Sequence, residues 1–499
     1  MTSFDWSSAG ATLANFGGEP TTLHVPKTGL PFFDALRLYG AIDLYIGLRE
    51  GVTIRDTGAE WIVEARSRRS RLAGRDQSAF ARIWKKSKPS AVEYCGRLRN
   101  SIASGVQLAG DEQLSATKRL DSALQAGIRG TAAASYTTLQ TGQTSESTCC
   151  VAKIPLSDGL LAFAGMRRVE GVGTITFLPV FKDKVDLSKI VSPLRLQVAV
   201  PNPLCAQALA LLALRSSLFS EGYQEQFKSV VFNTDFSGQR SDNYSGSITV
   251  GSTAVGKMAS AEFCAHVYGV FRRLVGRAWK RQGRSYTTTE LTSVALALAY
   301  WLMQPVPKHL SSMITAEERL RRSGLEGILS RADSRVDCVQ EVFEMTYSNS
   351  WNGDHDATKK FARAVASGIY YARMLKEDGK EREKVMEARQ KVWYDEVTML
   401  RSSPSAKAFI ERAMILIEQG HRENDFIGTV QRNEDFDPEG LRRSIGAGQA
   451  EFETFRDLFR MYLVQESTHR RSTEPTDEPI IEAGQTTVDA SEGEKEDGE

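Results

Sequence analysis

Three groups of residues have the types and spacing to do chemistry. Gly251-Ser-Thr-Ala-Val-Gly256-Lys257 follows an apolar strand pattern and precedes a helical one. That is the layout of a phosphate loop, in which backbone N–H groups and a lysine cradle phosphates. Met258 stands where a Ser or Thr would hold magnesium, and no apolar strand ending in an acidic metal partner follows. The stretch therefore reads better as a Gly/Ser turn opening a helix. His355-Asp356 has the pairing used by metal phosphohydrolases, but the remaining histidines (His24, His266, His309, His421 and His469) supply no further ligand set. With no His-Glu-x-x-His, Cys/His cluster or Gly-x-Ser-x-Gly present, the expectation is a helix-start dipeptide and a chain without catalytic residues, cofactor or metal.

The third group is basic. Arg66, Arg68, Arg69, Arg71, Arg75, Arg82, Lys85, Lys86, Lys88, Arg97 and Arg99 crowd one segment against only Asp76 and Glu93. Arg272, Arg273, Arg277, Lys280, Arg281 and Arg284 crowd another without any acid, interleaved with Phe271, Trp279 and Tyr286. From Arg273 onward these cations fall at i, i+4, i+7, i+8 and i+11, one stripe along a helix. Like charges so spaced destabilise an isolated helix, so an anionic partner is expected. Contacts of this kind give affinity and positioning rather than sequence reading. Sequence readers tend to sit on short loops. Arg167-Arg168 in a Gly-flanked turn, and Gln239, Arg240 and Asn243 in the stretch from Asp235 to Ser245, are the candidates, and Lys118-Arg119 adds to the positive field.

Composition agrees with a polyanionic partner. The 499 residues hold 63 Lys and Arg against 62 Asp and Glu, a formal net charge of +1 that conceals segregation. Beyond Arg471 the chain carries Glu474, Asp477, Glu478, Glu482, Asp489, Glu492, Glu494, Glu496, Asp497 and Glu499 against Arg471 and Lys495, so the rest is clearly basic. The six cysteines (Cys95, Cys149, Cys150, Cys205, Cys264 and Cys338) show no CxxC spacing, and Met1-Thr2-Ser3-Phe4 opens no secretory signal. A reducing cytoplasm is expected, and no apolar run is long enough to cross a bilayer.

The elements that must position these residues are predicted as an α+β fold. Thr28 to Ala65 reads as a buried helix, with Phe33, Leu36, Leu38, Tyr39, Ile42, Leu44 and Ile46, feeding a hairpin that turns at Asp56-Thr57-Gly58. Residues 1–100 form this unit with its basic segment, after a loose strand or arm in 1–27. Residues 101–258 form a second α+β part: a helix at Glu112 to Leu124 and strands at Val151 to Ile154, Thr174 to Phe181, Leu194 to Val200, Val230 to Phe232 and Ser247 to Val250. An apolar helix at Leu204 to Leu218 lies among those strands, and Thr131 to Thr148, Gly165 to Gly173 and Asp235 to Ser245 are mobile loops. Strands then give way to helices. A helical connecting region covers 259–345, with Thr315 as a helix start ahead of Glu317 and Glu318. A bundle covers 346–466, its last helix running from Asp437 to Val464, and 467–499 is a disordered acidic tail.

The helix Gly29-Leu-Pro-Phe-Phe-Asp-Ala-Leu-Arg-Leu-Tyr-Gly40, the basic loops and the closing Phe452-Glu-Thr-Phe-Arg-Asp-Leu-Phe-Arg-Met-Tyr-Leu463 together give a layout that resembles the large subunit of a type I CRISPR surveillance complex (Cascade). The bundle is similar to the small subunit that some large subunits carry fused at their C-terminus. The resemblance implies a non-catalytic role: recognising the protospacer-adjacent motif in target double-stranded DNA, helping to unwind it, and stabilising the displaced strand. The partners implied are guide RNA, the backbone and small subunits, and a helicase-nuclease or transposition adaptor, with pairing to the guide reading the sequence. It also raises an internal start near Met345 yielding a separate small subunit. The alternatives are a nucleotide- or metal-dependent phosphohydrolase built on Lys257 or His355-Asp356, and a protein-binding helical scaffold.

Overall fold

The computed structural model describes residues 12–14, 21–27, 34–35, 38–39, 42, 51–65, 118–119, 147–148, 165–169, 173–181, 183–186, 198–220, 227–234, 245–278, 288–330, 337–347, 351, 353–374, 382–427, 438–446 and 448–469. They form an α+β fold in which all described strands lie before Val250 and most of the helices after it. The predicted helix 28–46 is helical at its described residues, and Asp34, Ala35, Leu38, Tyr39 and Ile42 are all buried.

The first sheet is antiparallel in the order β1 (Thr12–Ala14), β2 (Thr21–Pro26), β4 (Glu60–Ala65), β3 (Gly51–Asp56), β9 (Asp183–Asp186). Its hairpin β3–β4 is the predicted one: Val52, Ile54, Trp61 and Val63 alternate inward, and the turn needs Gly58 because its φ is +90°. The Asp56 carboxylate accepts from the Gly58 N–H at 2.8 Å, which fixes the turn. Of the loose strand or arm expected over 1–27, the described residues 12–14 and 21–26 form paired strands.

Lys118–Arg119 (β5) pairs with Ser147–Thr148 (β6), so the helix expected over 112–124 is extended at its described residues, and the loop expected over 131–148 ends in a strand. The second sheet runs β10 (Val198–Val200), β7 (Gly165–Val169), β8 (Gly173–Phe181), β11 (Phe227–Thr234), β12 (Ser245–Thr249). Only β10 and β7 are parallel. The Tyr39 hydroxyl donates to the Pro179 carbonyl on β8, so the N-terminal helix is tied to this sheet as well.

Helix α1 (Pro203–Ser220) is apolar on every side and buried accordingly, packed against β7, β8 and β10 and against three later helices. A short helix α2 (Ala254–Lys257) leads into α3 (Ala261–Ala278) and α4 (Thr288–Met303), both packed on α1. α3 is amphipathic, with Phe263, Cys264, Val267, Val270, Phe271, Leu274, Val275 and Ala278 buried. Helix α5 (Pro307–Arg322) starts eight residues before the expected Thr315. Pro307 occupies its first turn, where a missing N–H costs nothing, while Thr315 sits mid-helix and donates back to the Ser311 carbonyl. Glu317 and Glu318 are therefore interior helix residues, and both are buried.

The bundle comprises α5, α6 (Cys338–Tyr347), α7 (His355–Ile369), α8 (Arg382–Arg401), α9 (Ala406–Ile427), α10 (Pro438–Ile445) and α11 (Gln449–His469). α7 ends in a π turn over Tyr370–Met374. The single helix expected over 437–464 is two, broken at Gly446, whose φ of +66° closes α10. Phe361, Phe409, Phe452, Phe455 and Phe459 interlock at its centre, with Phe409 and Phe459 edge to face at 5.0 Å between centroids. Where α7 and α9 cross, Gly368 and Gly420 meet backbone to backbone; a Cβ on Gly368 would run into the Leu416 carbonyl.

The bundle also encloses ionic groups. Glu318, fully buried on α5, accepts from Arg460 Nε of α11 at 2.8 Å and from Arg401 Nη1 of α8 at 3.2 Å. Arg460 also donates to the Thr315 hydroxyl at 3.0 Å and lies 3.6 Å from Asp457, which in turn accepts from the Tyr347 hydroxyl at 3.1 Å. Burial raises the Asp457 pKa although Arg460 opposes it. Glu396 of α8 is held by Arg412 at 2.6 Å and by Arg373 at 3.4 Å. Helix α5, placed by sequence in a connecting region, is thus joined to the bundle by buried charge as well as by packing. Among the described residues no helix is long and apolar enough to cross a membrane.

Candidate nucleic-acid interface

The described part of the second basic cluster lies on α3. Burial of one face by the apolar residues named above turns Arg272, Arg273 and Arg277 outward, and all three are exposed. Gly276 lies between them with no heavy atom within 4 Å of where a Cβ would stand, so the surface there is open to a close-approaching backbone. Arg273 Nη2 meets the Glu326 carboxylate at 2.9 Å, a pair with both side chains more than half exposed. Among the described residues no carboxylate pairs with Arg272 or Arg277. Glu262 lies in the first turn of the helix and Arg277 in the last, so both charges suit the helix dipole. Lys280, Arg281 and Arg284 lie outside the described residues, as do Arg66, Arg68, Arg69, Arg71, Lys85, Lys86 and Lys88.

The expected motif readers fare differently. Arg167 and Arg168 do not sit in a turn. They belong to β7, an interior strand of the second sheet, with Ile175 and Thr174 opposite on one side and Val198 and Ala199 on the other. The Gly165 to Gly173 stretch folds back as half of a β-hairpin because Val169 and the run after Gly173 can pair. Gln239, Arg240 and Asn243 lie outside the described residues.

The phosphate-loop candidate forms a capped turn. Val250–Ser252 forms a 3-10 turn and Thr253 caps α2, its hydroxyl accepting from the Gly256 N–H at 3.1 Å. The N–H groups of Thr253, Lys257 and Met258 already donate to the carbonyls of Val250, Thr253 and Ala254. A Cβ at Gly256 would run into the Val250 carbonyl, so this glycine answers a packing need. Lys257 Nζ donates to the Met345 carbonyl at 3.0 Å and so satisfies the last turn of α6. The N–H groups of Thr253, Gly256, Lys257 and Met258 are thus committed within the turn itself.

His355 and Asp356 also part company. Asp354 caps α7, its carboxylate accepting from the Ala357 N–H at 3.0 Å, while Asp356 pairs with Lys360 at 3.0 Å on the exposed side of the helix. The imidazole packs edge-on against Phe343 and Trp351, with centroids at 4.9 and 5.1 Å, and lies 3.4 Å from the Tyr462 hydroxyl. Burial lowers its pKa in spite of the nearby Glu344, Asp337 and Asp354. Among the described residues no group of His, Cys, Asp and Glu could hold a metal ion. The buried thiols Cys205 and Cys264 are pushed up to about 12 by burial and stay protonated at neutral pH.

Sequence reasoning missed the loop at 324–330 beside α3. Gly324, at φ +70°, ends α5, and the Leu325 N–H reaches back to the Leu320 carbonyl at 2.9 Å. The signal is present as Ser-Gly after a basic last turn, but it reads as a helix end only when the helix is begun at Pro307. No protein-family model matches this chain. No curated protein matches it either.

Proposed function

We propose that this chain is a non-catalytic nucleic-acid-binding subunit that uses the outer face of α3 to hold phosphates. The observation that carries the reading is the exposure of Arg272, Arg273 and Arg277 together on one face whose reverse side is fully committed to the core. Three guanidiniums spaced along a rigid helix suit a phosphodiester backbone, and each offers fork geometry for two oxygens. An α+β body followed by a helical bundle is, further, the layout expected of the large subunit of an RNA-guided DNA-targeting complex. We take that as the setting: protospacer-adjacent motif recognition, duplex opening and holding of the displaced strand, with guide RNA, backbone and small subunits, and a helicase-nuclease or transposition adaptor as partners.

Two linked measurements test this. Arg272→Ala with Arg273→Ala and Arg277→Ala weakens binding to mixed-sequence duplexes evenly and flattens the salt dependence by about 0.9 in log–log slope for each phosphate no longer held. Wild-type affinity for DNA matched by the triple variant at every salt concentration rejects the face. Purification from the native host with sequencing of the bound nucleic acid then tests the setting. Short RNAs sharing a repeat-derived end, with repeated backbone subunits, support it, whereas nucleic-acid-free protein counts against it.

A further inference from the structure

The loop 324–330 is held to the α3 face from two sides by ionisable groups. From below, the Glu317 carboxylate, fully buried, accepts the Ile328 N–H at 2.7 Å and the Leu329 N–H at 3.3 Å. Gly327 makes that approach possible, since a Cβ there would run into the carboxylate, and its own N–H donates to the Ser330 hydroxyl at 2.9 Å. From above, His266 of α3 donates through Nε2 to the Ile328 carbonyl at 3.1 Å. Residue 328 is thereby gripped through both its N–H and its C=O. The grip places the next outward-pointing side chain, Glu326, over α3, where its carboxylate meets Arg273 at 2.9 Å.

This arrangement gives Arg273 an anionic partner in the middle of a face where, among the described residues, Arg272 and Arg277 have no carboxylate. We propose that Glu326 is a built-in competitor for the polyanion at Arg273, displaced when a phosphate takes the guanidinium, and that His266 then gains a proton to compensate the released carboxylate. The proposal rests on the reading of α3 as a phosphate-holding face. Glu326 can leave readily, because the pair is mostly exposed and an exposed pair contributes little. His266 is suited to the second role by position. The charged groups facing it are Glu326, which favours its protonated form, and Arg273, which opposes it; Glu317 lies beyond the Ile328 peptide. Burial is the main cause that keeps its pKa below the ordinary value, and Arg273 adds to that lowering. Drawing Arg273 toward a phosphate removes part of the opposition and leaves Glu326 to favour the proton.

The test uses the full chain and a mixed-sequence DNA duplex. Glu326→Gln tightens binding about two- to fivefold at low salt, the range an exposed ion pair allows. In an Arg273→Ala background the same change has no effect, because the competitor has lost its target. A gain that persists undiminished in the Arg273→Ala background marks Glu326 as a general repulsive charge and overturns the proposal. So does an unchanged affinity in Glu326→Gln when Arg272→Ala with Arg277→Ala weakens binding. If that last pair of changes is without effect, the phosphate-holding reading itself falls and the competitor falls with it. Binding enthalpies near pH 6.5 in buffers of different ionisation heat give the proton count, since that pH is close to the ordinary histidine pKa of about 6.5. Wild-type protein takes up protons on binding and His266→Gln takes up fewer; equal uptake in both removes His266 from the mechanism.

Discussion

Arginine is used in two opposite ways in this chain. On α3, Arg272 and Arg277 project into solvent with no described carboxylate beside them. In the bundle, Arg460 is 3 % exposed and is shared among Glu318, Asp457 and Thr315, while Arg401 and Arg412 are bound to buried glutamates. A count of charges treats the two sets alike. Their cost does not: a desolvated guanidinium must be matched by carboxylates in fixed positions, whereas an exposed one needs nothing from the fold and stays available to a partner. On α3 the arginines lie opposite an apolar helix face, and among the described residues only Arg273 has a carboxylate within reach.

The largest effect is expected at Glu318. Glu318→Ala strands Arg460 without its main counter-charge in the bundle interior, and the expected loss is about 3–5 kcal/mol in denaturant unfolding. The same deletion bears on an internal start at Met345, because such a product lacks α5, hence Glu318, and begins inside α6. A fragment 345–499 is expected to be unfolded by circular dichroism where one starting at Gln304 folds. Next comes Gly368→Ala at the α7–α9 crossing, with overpacking of about 1–3 kcal/mol read from the same unfolding curve. A pH series sharpens the contrast between buried acids with and without a cation. Glu317 has N–H donors as its partners, and burial raises its pKa from the ordinary 4.5 to about 7, so the folded state binds the proton more tightly than the unfolded one. Its contribution is therefore fully present below pH 4.5 and is lost as pH rises through about 7; Glu317→Gln flattens that part of the stability profile. The smallest effect belongs to α3. Alanine at Arg272, Arg273 and Arg277 shifts stability by less than about 0.5 kcal/mol per site while binding falls.

What the sequence made legible follows from how local each signal was. The hairpin at Asp56-Thr57-Gly58 and the all-round apolar α1 are readable because turn chemistry and composition suffice. The α5 start is misplaced by sequence because Thr-x-Glu-Glu mimics a cap, while Pro307, the stronger mark, reads equally well as the end of α4. Arg167-Arg168 looks like a turn because two glycines flank it, whereas pairing with residues 174 and 175 decides its state. Of the α3 stripe, Arg273 and Arg277 are described, and both are exposed as the spacing implies. Glu326 is not, since nothing local links it to Arg273.

The place of β9 has a consequence for the order in which the chain can mature. β3 faces β4 on one side and β9 on the other, joining Gly51 to Asp186. During synthesis at roughly 5–20 residues per second, the hairpin emerges on the order of ten seconds before its outer partner exists. Until then β3 is an open edge, able to recruit any strand that passes, including that of a neighbouring nascent chain. Slower translation across the intervening stretch lengthens that exposure.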